Sequence, residues 1–239
     1  GAALPAMKRL FAWGKPRTNE ALHARLQALP AAAELSQQPL SQQQWVVLDV
    51  ESTGLNLQRD LLLSIGAVAI EGNSIGLADG FTCTLNRDQQ HLGDSVLLHG
   101  ISPSELAAGL TPAEALLAFM EYLGERPLLA FHAPFDQQML ARALKEEFNY
   151  KLRHPFLDLA DLAPMLCPQA GLSKGGLDDW MSFFGLANLQ RHNAYADALA
   201  TAELALILFS RARRQGLDSA YALSDALARW KRRQQQSAW

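Results

Sequence analysis

Asp49 and Glu51 stand two residues apart at the end of an apolar run, Trp45-Val46-Val47-Leu48. The run reads as a buried strand. Strand side chains alternate between faces, so the two carboxylates leave the strand from the same face as a pair of anionic ligands. Two like charges that close raise each other's pKa unless a cation lies between them. The pair is therefore a candidate cation site, although a strand end meeting solvent at the turn Ser52-Thr53-Gly54 would also account for it. Two further acids, Asp136 and Asp197, each fall early in an expected helix, where the positive end of the helix dipole favours an acid whatever its function. His192 precedes Asp197 by five residues; alone it would pass for a surface histidine at a helix start.

The elements that must position these groups are legible from apolar spacing and turn chemistry. Residues 61–71 and 75–85 are apolar and are separated by Gly72-Asn73-Ser74, so with the first strand they form an antiparallel meander. Ser102-Pro103-Ser104-Glu105 and Thr111-Pro112-Ala113-Glu114 are helix starts, with a hydroxyl cap, proline at the first helical position and an acid at the third. The second of these helices should run to about Leu123. A short strand is expected over 127–131, a helix over 133–148, and another short strand over 156–159 leading into a helix that breaks near Pro164 or Pro168. Residues 167–176 hold proline and three glycines and read as a mobile loop. Helices follow over 177–184, closed by Gly185, over 194–214, and from about Asp218 to Arg233. A meander followed by strands alternating with helices predicts an α/β fold, with a mixed sheet flanked by helices.

With 239 residues, 49% hydrophobic and 19% charged, the chain is long enough for one sizeable domain with extensions. The expected division is an N-terminal extension and Gln-rich linker (1–44), a central domain (45–215) and a basic C-terminal helix (216–239). Within the extension, 19–35 is rich in helix formers. No apolar run approaches the length of a membrane span, and 10–13 is too short for a secretory core despite Lys8 and Arg9, so a cytoplasmic location is expected. Cys83 and Cys167 form neither a disulfide framework nor a zinc pattern. A net charge of −3 argues against bulk electrostatic binding of nucleic acid, but not against an enzyme whose acids are neutralised by bound metal. From Arg211 onward seven basic residues face two acids, which suits either a solvated helix face or contact with phosphate.

Three motifs in order, Leu48-Asp49-Val50-Glu51-Ser52-Thr53-Gly54-Leu55, Phe131-His132-Ala133-Pro134-Phe135-Asp136 and His192-Asn193-Ala194-Tyr195-Ala196-Asp197, resemble those of the DEDDh (DnaQ-like) 3′-to-5′ exonucleases. That family includes the proofreading epsilon subunit of bacterial DNA polymerase III and ribonuclease T. The resemblance runs from about Trp45 to Arg214, with secondary matches at His99-Gly100-Ile101 and Gly176-Leu177-Asp178-Asp179. It departs at Phe131-His132, where the family usually has His-Asn, and mildly at Ser52, where it often has Thr.

The resemblance implies a ribonuclease-H-like fold and hydrolysis of phosphodiesters at nucleic-acid 3′ ends, single-stranded or frayed, with release of nucleoside monophosphates. DNA is the favoured substrate; RNA trimming by the same mechanism and a catalytically weak end-binding module are the alternatives. Asp49, Glu51, Asp136 and Asp197 would hold two Mg²⁺ or Mn²⁺ ions, which take hard oxygen ligands and can serve both the attacking water and the leaving oxygen. His192 would be the general base, its imidazole being the side chain suited to proton transfer near neutral pH. Ser52, Thr53, Gly54, Leu55, His132 and Phe135 would contact substrate, with Leu55 against the terminal base. A protein partner could dock through 1–44 or the C-terminal helix; no membrane partner is expected.

Overall fold

The apolar run becomes the middle strand of a mixed sheet. In the computed structural model, which describes residues 17–87, 100–187 and 190–238, β1 (Gln44–Ser52) pairs antiparallel with β2 (Leu62–Glu71), which pairs antiparallel with β3 (Ser74–Thr84). On its other edge β1 runs parallel to β4 (Leu128–Ala130), and β4 to β5 (Phe156–Asp158), giving the order β3-β2-β1-β4-β5. This is the expected ribonuclease-H-like arrangement, an antiparallel meander extended by parallel strands. The run 10–13 and His99 lie outside the described residues.

Side-chain alternation along β1 divides the core. Val46, Leu48 and Val50 pack with α3 (Pro112–Leu123) and α4 (Ala133–Phe148), together with Ile65 and Ala67 of β2. Trp45 and Val47 face the other way, onto α5 (Leu159–Leu166), α6 (Leu177–Phe183), α7 (Ala194–Arg214) and α8 (Ala220–Ser237). Trp45 stacks on Phe209 of α7 with ring centroids 5.5 Å apart. Burying each such side chain contributes roughly 1.5–3 kcal/mol, so β1 is anchored on both faces. Asp49 and Glu51 continue the Trp45–Val47 face, the side that carries α7.

Helix starts follow their caps. Ser102 and Glu105 close a capping box on the short α2 (Pro103–Ala107), and the Thr111 hydroxyl accepts from Glu114 N–H at the start of α3. Asn193 caps α7 by accepting from Ala196 N–H at 3.0 Å. The helix after β5 continues through Pro164 and ends ahead of Cys167 and Pro168, leaving a short 3₁₀ turn over Pro168–Ala170. The last helix starts later than expected and extends further: Ser219 caps it at Ala222 N–H, while Asp218 accepts from Leu40 N–H at 3.1 Å.

The first helix, α1 (Arg17–Gln27), stops well short of Leu35. Pro30 explains the stop, because the residue before a proline is driven out of the helical region. Residues 28–38 then run without regular structure over the domain, where Ala33 N–H donates to Glu125 O and Tyr221 N–H to Ser36 O, both at 3.0 Å. Leu40 of the Gln-rich connector is fully buried in the α7-side core. No helix among the described residues is long and apolar enough to cross a membrane.

Candidate active site

The C-terminal end of β1, the first turn of α4 and the first turn of α7 meet around a cleft of about 740 Å³. Asp49, Glu51 and Asp197 each offer a carboxylate oxygen, and these atoms lie within 4.8 Å of one another. Asp136, only 4% exposed, stands behind them and accepts the Val50 backbone N–H at 3.0 Å through Oδ1. That bond ties α4 to β1 beside both strand acids. The four expected ligands are therefore gathered at one place from three separate elements.

Two glycines set how closely α7 approaches. Gly66 of β2 is the register partner of Asp49, and a Cβ built there would lie 2.2 Å from Ala194 C and Tyr195 N. Gly80 of β3 faces the Tyr195 ring, which a Cβ would meet at 2.6 Å. The first turn of α7 thus rests on bare backbone, which brings Asp197 up to Asp49. An isolated glycine inside an apolar strand is the sequence signal for such an approach. The helix it serves is visible only in three dimensions.

The strand acids are held in an unfavourable state. Burial, reinforced by Asp136, Asp197 and Glu51, pushes the Asp49 carboxyl well above the usual carboxylate range. Burial and Asp197 lift Glu51 to about 7. Asp136 is likewise raised by burial, against the opposing pull of the Val50 N–H. A cation bound among these oxygens would offset the mutual repulsion that resists their ionisation. All four donors are carboxylates, the hard oxygen set that suits Mg²⁺ or Mn²⁺.

On the opposite wall charge is compensated. Arg191 Nη1 lies 2.6 Å from Asp197 Oδ1, and Arg191 Nε donates to Asp178 Oδ1 at 2.6 Å. The second oxygen of Asp197 accepts the His192 backbone N–H at 3.1 Å. Arg191 was not among the expected site residues, and neither was Leu177, which also lines the cleft. The match at Gly176-Leu177-Asp178-Asp179 resolves into distinct parts: Asp179 closes the start of α6 by accepting Gly176 N–H at 2.8 Å, and Asp178 holds Arg191.

His132 and His192 both line the cleft, and both adopt left-handed backbone conformations, with φ of 61° and 66°. Asn149, the other non-glycine residue of this kind among those described, simply ends α4. Asn and His are the side chains that tolerate this conformation comparatively well, so His132 fits the backbone demand where the resembled family usually has Asn.

Of the expected substrate contacts, Ser52, Gly54, Leu55, His132 and Phe135 line the cleft and Thr53 does not. The Thr53 hydroxyl turns inward, donating to Asp60 Oδ1 and accepting Leu61 N–H, both at 2.9 Å. Gly54 packs against the same carboxylate, which a Cβ would meet at 2.6 Å. Arg142 of α4 donates to the carbonyls of Leu57 and Asp60 and clasps the far side of the turn. Leu55 stands on this braced turn with 86% of its surface exposed.

Comparison with known proteins places these features. The chain is 28% identical over 190 residues to the PolC-type DNA polymerase III of Bacillus subtilis (strain 168), covering 79% of this chain and 13% of that protein. It is 29% identical over 161 residues to the DNA polymerase III subunit epsilon of Aquifex aeolicus (strain VF5), covering 67% of this chain and 77% of that one. It thus spans only a small part of its PolC-type relatives. Among solved structures, E. coli Exonuclease I in complex with a dT13 oligonucleotide matches with a TM-score of 0.60 at 19% identity, over 73% of this chain and 42% of that one, which supports the fold. The RNase T-type family model, described as exonuclease, matches residues 46–205, so it takes in both carboxylate walls and the helices that carry them. The chain belongs to this exonuclease family.

Proposed function

We propose that the chain is a divalent-metal-dependent 3′-to-5′ exonuclease that removes nucleoside monophosphates from single-stranded or frayed DNA ends. The observation that carries this reading is the set of carboxylate oxygens of Asp49, Glu51 and Asp197 within 4.8 Å of one another, with Asp136 behind them. These four residues would hold two Mg²⁺ or Mn²⁺ ions, which when bound supply Lewis-acid stabilisation of the phosphoryl group and activation of water.

The remaining work falls to the chain's own side chains. A ring nitrogen of His192, on the exposed lip of the cleft, accepts the proton lost by the attacking water. The Val50–Asp136 bond and the close seat of α7 on Gly66 fix the carboxylates relative to one another. Leu55 offers an apolar surface to the terminal base, with Phe135 and Leu177 as further apolar lining of the cleft.

DNA is favoured because the relatives above are DNA polymerase III proteins and the structural neighbour was solved with a DNA oligonucleotide. RNA trimming is the second reading, favoured by the RNase T-type model that matches the chain. A time course on matched 5′-labelled DNA and RNA oligonucleotides, with Mg²⁺ or EDTA and with Asp197→Ala as control, tests both. A ladder shortening from the 3′ end, dependent on metal and on Asp197, is expected, with DNA the faster substrate. Binding of the oligonucleotides without any product, with Mg²⁺ or with Mn²⁺ in its place, would replace the enzyme by an end-binding module.

A further inference from the structure

Arg191 is the one Lys or Arg side chain lining the cleft among the described residues, and it sits on the carboxylate the proposed metal would need. Its guanidinium spans two acids: Nη1 meets Asp197 Oδ1 and Nε meets Asp178 Oδ1, each at 2.6 Å. The two partners differ in kind. Asp197 is buried, faces Asp49 and Glu51, and belongs to the cluster; Asp178 is exposed, at the start of α6, outside it. One end of the guanidinium is thus moored to the rim while the other occupies an oxygen of the site.

We propose that Arg191 is an exchangeable counter-ion and a phosphate ligand: it neutralises Asp197 in the metal-free protein, is displaced from Asp197 by the metal, and then turns, still held by Asp178, onto a phosphate oxygen of the substrate strand. This rests on the metal-dependent reading above and adds a residue to it. The charge balance drives the exchange. A divalent ion among four carboxylates outcompetes a single delocalised cation that must share Asp197 with the His192 backbone N–H. Once released, a guanidinium beside bound metal has no acid left to face inside the cleft. Arg191 meets each acid through a single nitrogen, so release of Asp197 leaves the planar Nη1/Nη2 edge to take a pair of phosphodiester oxygens. Asp178 is the pivot because its bond is to Nε, which leaves the Nη edge available to change partners.

The test uses two measurements that a bracing role would move in the same direction and an exchange role moves in opposite directions. Mn²⁺ binding to the nucleic-acid-free protein is titrated by calorimetry for wild type, Arg191→Gln, Arg191→Lys and Asp197→Asn. Separately, binding of a fluorescent oligothymidylate is measured at saturating Ca²⁺ across a salt series. Arg191→Gln is expected to bind Mn²⁺ about tenfold more tightly, because the competing cation is gone. It should bind the oligonucleotide about tenfold more weakly, with a salt slope smaller by about 0.7, the loss of one phosphate contact. Arg191→Lys should fall between wild type and Arg191→Gln in both. Weaker or unchanged Mn²⁺ binding by Arg191→Gln, or an unchanged salt slope, overturns the proposal and leaves Arg191 as a brace for the turn before α7. If wild type bound no Mn²⁺ that Asp197→Asn abolished, the metal-dependent reading itself would fall, and the exchange with it.

Discussion

The two walls of the cleft carry the same kind of residue in opposite electrostatic states. On the β1–α4 wall, Asp49, Glu51 and Asp136 crowd together and their carboxyls are driven upward, with the Val50 N–H as the opposing contact from the backbone. On the α7 wall, Asp197 is saturated by Arg191 and by the His192 N–H. One wall lacks positive charge and the other already has it. The cost of gathering the acids is thus concentrated on the β1–α4 side, while Arg191 offsets it on the α7 side.

The sharpest way to break this contrast is to remove the strand acid at its centre. Asp49→Ala should abolish turnover in the oligonucleotide assay while circular dichroism shows the fold retained. His192→Ala leaves both walls charged as before, so Mn²⁺ binding by calorimetry should persist while hydrolysis slows by roughly 10² to 10⁴; loss of Mn²⁺ binding would refute its role as a base. Gly66→Ala keeps every acid but forces the walls apart. It should lower kcat/KM by about 10²-fold and cost about 1–3 kcal/mol in denaturant unfolding through overpacking against α7.

Metal should erase the contrast altogether. Mn²⁺ at a hundred times its Kd should add about 2.7 kcal/mol of stability, read as a rise in Tm that EDTA reverses and that Asp49→Ala does not show. The smallest effect is in pH. Glu51 has a folded pKa of about 7 against an ordinary value of 4.5, so between these values the folded state holds a proton that the unfolded state gives up. Stability of the metal-free protein should therefore fall as pH rises through that window. Glu51→Gln should lose that share of the decline in EDTA; a Tm profile identical to wild type would show that the like charges on this wall do not act as described.

Alternation along a strand puts Asp49 and Glu51 on one face, but Asp136, Asp197 and His192 are unremarkable one by one and are singled out by the resemblance of the three motifs taken in order; the structure brings all five to one cleft. The meander and the short apolar runs before helices predicted a mixed sheet flanked by helices; the order β3-β2-β1-β4-β5 comes from the structure. What could not be read were relations between distant residues. The Thr53 hydroxyl is committed to Asp60 across a turn whose closure no local pattern announces, which leaves its backbone as the part that could face a substrate. Arg191 is one arginine beside one histidine in sequence, and only the packing of α6 against α7 places it between two acids. Gly66 passes unnoticed as one glycine in an apolar strand, because nothing near it in sequence names the helix that needs the space. The first helix was overextended because Ala and Leu outweighed Pro30, which sets the actual end.

The turn that presents Leu55 is fastened before any nucleic acid arrives, by Thr53, Asp60 and the Arg142 clasp on the carbonyls of Leu57 and Asp60. On the proposed reading, a terminal base that settled on that leucine would have little loop entropy to overcome. Because each of the bases offers a comparable apolar face, the contact carries no letter of the sequence. An enzyme so equipped should walk along a strand with an even stride, and pauses in its ladder would report secondary structure in the substrate rather than the identity of the nucleotide being removed.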